Sequence, residues 1–113
     1  MPYQDKDPQT PGAGGTFEWK TTIVSPGVKA LVGDDPIAGM TLTAFLRQHH
    51  SGQWGVVTAE EAAANEQALA DGSALFSRFH FKGHEIWILT DASPREVTNV
   101  LLPDEYDAPT DAS

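Results

Sequence analysis

The sequence predicts an α+β fold, with one antiparallel sheet of three or four strands and two or three helices packed mainly on one face. Three stretches carry that expectation. Ala74–Thr90 sets two β-prone runs on either side of Lys82-Gly83, the pattern of a tight hairpin. Thr58–Leu69 is an alanine-rich run in which Thr58 and Glu61 have the spacing of a capping box. Glu96–Leu102 is a further β-prone run stopped by Pro103, and the short Asp91–Arg95 segment before it suits an antiparallel return onto Glu85–Thr90.

Residues 1–15 hold three prolines, three glycines and almost no large apolar group, so they read as a flexible tail. Phe17, Trp19, Thr21 and Ile23 alternate with Glu18, Lys20 and Thr22, the period of a half-buried strand over 16–24. Ser25-Pro26 supplies the cap and first-turn residue of a short helix that places Val28, Leu31 and Val32 on one side and stops at Gly33. Asp34-Asp35-Pro36 reads as a polar turn. Thr41 then caps a helix through His50, with Leu42, Phe45, Leu46 and His49 on one stripe. The capped helix from Thr58 ends at Asp71-Gly72. The single domain spans 16–106, and 107–113 form a flexible acidic tail.

In the hairpin, a two-residue loop at Lys82-Gly83 pairs Phe81 with His84, Phe79 with Ile86, Ser77 with Ile88 and Leu75 with Thr90. The other face pairs Phe76 with Leu89, Arg78 with Trp87 and His80 with Glu85. Helices satisfy the first face. The second is too apolar to lie bare, and its cover is a helix of the same chain, a foreign protein, or the same patch of a second subunit in a twofold homodimer. Arg78 over Trp87 makes it a candidate recognition patch with Phe76 and Leu89. Trp54, between Gly52 and Gly55, reads as a buried anchor of the loop between the main helices, and Asn65 as making a structural hydrogen bond to that loop.

At 113 residues the chain fits one core. The absence of cysteine excludes disulfides, thiolate metal sites and thiol nucleophiles, and suits a reducing cytoplasm. No apolar run is long enough to span a membrane. A net charge of -9 argues against direct nucleic-acid binding, and residues 1–16 and 104–113 together hold -5 of it, as solubilising end segments would carry it.

Ser25-Pro26-Gly27, Gly52-Gln53-Trp54-Gly55, Ala64-Asn65-Glu66 with Ala68-Leu69 and Gly72, Ile86-Trp87-Ile88-Leu89-Thr90, and Leu101-Leu102-Pro103-Asp104-Glu105-Tyr106 occur in an order that resembles small bacterial "plasmid-related" proteins encoded on plasmids and integrative elements. The resemblance covers 25–106. It departs at the Lys82-Gly83 turn, where Asp-Gly or a longer loop is usual, and at Val56, where an acidic residue is usual. It implies a mobile-element setting and supplies no activity.

Catalytic constellations do not assemble from the sequence. Ser25, Ser51 and Ser77 lack a nucleophile-elbow context, and Pro11–Gly15 lacks the lysine and preceding strand of a phosphate loop. His49 and His50 point about 100° apart on a helix, which suits interaction with the helix dipole better than chelation. His80 and His84 fall on opposite hairpin faces, so no metal or cofactor is expected. The leading expectation is a non-enzymatic interaction or accessory protein of a mobile element. The alternatives are an acidic inhibitor of a host defence or DNA-processing protein, and an enzyme whose pocket converges on Asn65, His49 or His80.

Overall fold

The computed structural model describes residues 17 and 19–106, so the tails expected at 1–15 and 107–113 lie outside the described residues. The elements run β1 (Thr21–Val24), α1 (Pro26–Val32), α2 (Pro36–His50), α3 (Ala59–Asp71), β2 (Leu75–Phe81), β3 (His84–Thr90) and β4 (Val97–Leu101), followed by one helical turn at 103–106. The α+β class holds. The four strands are ordered β1-β4-β3-β2.

The hairpin folds in the register its turn dictates. Lys82 and Gly83 both take positive φ, 53° and 78°, which gives a two-residue turn whose twist matches the strands. Phe79 therefore faces Ile86, Arg78 faces Trp87 and His80 faces Glu85. β4 returns antiparallel beside β3, pairing Thr90 with Thr98 and Ile88 with Val100.

β1 corrects the expectation of a wholly antiparallel sheet, because it lies parallel to β4 with Thr21 beside Val97 and Val24 beside Val100. The chain reaches β4 from β1 only after three helices and the hairpin, so no short turn sets the two strands antiparallel. The strand is also shorter than 16–24. Lys20 and Thr21 both donate to the Glu96 carbonyl, the last partner before the 91–95 turn, and the ladder ends there. Trp19 instead donates from Nε1 to Thr22 Oγ1 at 2.8 Å and stacks on His50.

Helix ends follow local chemistry. Ser25 caps α1, accepting from Val28 N at 3.2 Å. α2 starts five residues before the expected Thr41 cap, since Asp35 accepts from Ile37 N and Pro36 takes the first helical position. Thr41 Oγ1 donates to the Ile37 carbonyl inside that helix. In α3 the capping box is complete, with Thr58 Oγ1 and Glu61 N, and Thr58 N and Glu61 Oε1, each 3.0 Å apart. Gly72, at φ 84°, closes it in the left-handed conformation that favours glycine.

The main core joins Val28 of α1 to Phe79, Ile86, Ile88 and Val100 of the sheet, with Leu42, Phe45 and Leu46 of α2 packed on it. Phe45 stacks on Phe79 at 4.5 Å. A second cluster gathers Trp54, Ala68 and Leu75 beside the outer edge of β2. Alternation sends Phe76, Arg78, His80, Glu85, Trp87, Leu89, Asn99, Leu101 and Ile23 to the face opposite α1 and α2. No helix among the described residues is long and apolar enough to cross a membrane.

Candidate functional site

The sheet face away from α1 and α2 is built around Arg78. Its position opposite Trp87 brings the guanidinium to 5.8 Å from the indole and 5.4 Å from the Phe76 ring. Phe76 and Trp87 meet edge to face at 5.2 Å. Two carboxylates fix the cation: Glu61 Oε2 accepts from Nη2 at 2.6 Å, and Glu85 Oε1 lies 3.6 Å from Nη1. Glu85 also accepts from Trp87 Nε1 at 3.0 Å. His80 lies across from it at 4.0 Å. The Tyr106 ring packs 5.5 Å from Trp87, and Leu89 lies half-buried on the same face. The patch is thus a rigid aromatic and aliphatic surface with its one central cation already paired.

Two contributors are absent from the sequence-based patch. Glu61 is disguised by its other role, since one oxygen closes the α3 capping box while the second holds Arg78. Tyr106 follows the turn at Pro103, and an aromatic residue just past a strand-ending proline is its one available signal.

Trp54 is buried at 6% exposure and donates to Glu66 Oε2 at 3.3 Å. Asn65 differs from the expectation. Its side chain does not bond the Trp54 loop; it reads the backbone of Phe76, donating from Nδ2 to the carbonyl at 2.6 Å and accepting from the N–H at 2.9 Å. The loop itself bonds the next outward residue, with Arg78 N donating to Trp54 O and Val56 N donating to Arg78 O. An amide side chain and a loop therefore stand where a fifth strand would be, satisfying the edge of β2. Gly55 makes this close approach, because a Cβ there would collide with the Arg78 carbonyl oxygen and its φ is +78°.

His49 and His50 also depart from the helix-dipole reading, which requires imidazolium. His49 is fully buried, with Nδ1 2.6 Å from Ser77 Oγ and Nε2 2.9 Å from Thr90 Oγ1, and Thr90 in turn reaches Thr98 at 2.8 Å. Burial, with His50 and Arg95 nearby, pushes its pKa down to about 3. Burial lowers His50 to about 3 as well, against the opposing bond to the Leu46 carbonyl. Both are neutral core groups at pH 7.

His49, Asn65 and His80, the candidates for an enzymatic site, do not converge. The first lies in the core, the second on the β2 edge and the third is exposed near the turn. Among the described residues no group of three His, Asp or Glu side chains is placed to hold a metal. No protein-family model matches the chain, and comparison with curated proteins and with solved structures yields no match.

Proposed function

We propose that this protein acts without catalysis, as a protein-binding accessory factor, and that its partner docks on the Phe76, Arg78, Trp87 and Leu89 face. The observation that carries the reading is the pairing of Arg78 with Glu61 and Glu85 over two aromatic rings, on the sheet face opposite α1 and α2. Aromatic groups held rigid beside a partnered arginine are what recognition hot spots use, since little side-chain entropy remains to be lost on binding. The acidic groups stand around the rings and suit the rim of such a contact. The resemblance to plasmid-related proteins favours a cytoplasmic, mobile-element setting for that partner.

The test is capture from a bacterial lysate by the wild type, Trp87→Glu and Leu101→Glu, each checked for an unchanged circular dichroism spectrum. A protein retained by the wild type at high salt and lost by both variants is the expected result. Identical capture by all three would remove the face from the reading. Capture by the wild type that vanishes with salt would favour the acidic inhibitor, whose contact rests on carboxylates.

A further inference from the structure

We propose that the outer edge of β1 is the seam of a twofold homodimer in which two four-stranded sheets join into one of eight strands. This goes beyond the binding reading and stands independently of it. The bonds to β4 come from alternate residues, as Thr21 N donates to Glu96 O and Ser25 N to Val100 O. By that alternation Ile23 also faces β4, so the N–H and C=O of Thr22 and Val24 point away from the sheet. Among the described residues nothing bonds those four groups. The opposite edge is different, because Asn65 and the Trp54–Val56 loop take the outward groups of Phe76 and Arg78 and leave only His80 beside the turn.

Open edges in monomeric proteins are ordinarily blunted by charge, proline or a bulge, or by keeping the edge strand very short, and β1 is short at four residues. Within that length Thr21–Val24 carries no charge, proline or bulge, and its Ile23 is 50% exposed. A second copy fits the edge with one register. Outward-facing residues must pair with outward-facing residues, and the register that satisfies all four outward groups of each copy sets Thr22 against the partner's Val24 and Val24 against the partner's Thr22, with four backbone hydrogen bonds exchanged. Ile23 then lies on the axis opposite itself as a non-hydrogen-bonded pair, where side chains approach most closely, and the half-exposed isoleucine is buried. Pro26, which lacks an N–H, ends the ladder.

Charge permits this in spite of the net -9. The seam is uncharged; at one end Lys20 and Glu96 are paired with each other at 3.6 Å, and at the other the Glu105 carboxylate is turned onto Ser25 Oγ and Gly27 N. Repulsion between copies is therefore long-range and screened, so association should strengthen with salt. The joined sheet would carry both Arg78–Trp87 patches on one continuous face.

The absence of native cysteine makes the axis directly testable. Opposed residues of a non-hydrogen-bonded pair have Cα atoms about 4.5 Å apart, within the roughly 4.4–6.8 Å that a disulfide spans. Ile23→Cys should form a disulfide-linked dimer under mild oxidation at low protein concentration, whereas Ile37→Cys, on an exposed turn of α2, should not. Sedimentation of the wild type should show a dimer that tightens with salt, and Ile23→Asp should sediment as a folded monomer. A wild type that stays monomeric at every concentration, or equal cross-linking of the two cysteine variants, overturns the proposal. If Ile23→Asp fails to fold, the comparison of cysteine variants decides. An edge filled instead by an extended segment of another protein would leave the purified chain monomeric, and the proposal would fall in the same way.

Discussion

Lowering the pH from 7 to 5 should weaken the fold by about 2 kcal/mol through His49 alone. The buried imidazole is held to about 3, against an ordinary value of 6.5. Below 6.5 the unfolded chain takes up a proton that the folded chain refuses, so the stabilisation is fully present above 6.5 and is lost as the pH falls towards 3. The slope is about 1.4 kcal/mol per pH unit for one histidine. His50 is lowered to about 3 in the same way and adds a loss of the same sign. Glu105 is lowered too: burial opposes its charge, and bonds from Ser25 Oγ, Leu102 N and Gly27 N outweigh that, so its contribution is lost only as the pH falls through the carboxylate range. Urea titrations at pH 7, 6 and 5 read the effect by tryptophan fluorescence, since Trp19 stacks on His50 and Trp54 lies 5.7 Å from His49. His49→Gln keeps an amide near Ser77 and Thr90 but removes the titration; it should start less stable and flatten the dependence by about 1.4 kcal/mol per unit. Equal unfolding free energies at pH 7 and 5 in the wild type, or an unchanged slope in the variant, would refute neutral burial.

Asn65→Ala should cost about 1–3 kcal/mol, because it strands the N–H and C=O of Phe76 on an edge they no longer share. The second readout is aggregation on mild heating, and a variant as stable and soluble as the wild type would show that the amide seals nothing. Trp54→Ala should cost about 3–5 kcal/mol through the cavity left against Ala68 and Leu75. Free acrylamide quenching of Trp54 in a variant that has no other tryptophan would contradict its burial.

What was legible in the sequence was what neighbouring residues decide. The Lys82-Gly83 turn fixes every pair of the hairpin, and Thr58 with Glu61 fixes the start of α3. The direction of β1 was not legible, since a period of two places side chains on faces without naming the strand alongside. Closure between distant segments was equally hidden. Glu105 accepts from Ser25 Oγ at 2.5 Å and Gly27 N at 2.9 Å, and a Cβ on Gly27 would press on that carboxylate at 2.7 Å. No spacing rule anticipates such bonds across nearly the whole domain.

The residues of the short motifs singled out in the sequence can nevertheless be sorted by what they touch. Ser25 and Gly27 are tied to Glu105, joining the N-terminus of α1 to the last turn. Gly55 and Asn65 are spent on the β2 edge, with Trp54 packed behind them. Ile86, Ile88 and Thr90 face the buried side of the sheet. Closure and core packing account for all of these. They do not account for Trp87, Leu89 and Tyr106, which the same motifs place on the opposite face, with Trp87 directly across from Arg78. Glu61 ties Arg78 to α3 and Tyr106 packs on Trp87, yet Phe76, Trp87 and Leu89 remain only half-buried, which suits the proposed docking of a partner on this face. That is the reason to begin a search for the partner at Trp87, and to read binding and folding separately in every variant made there.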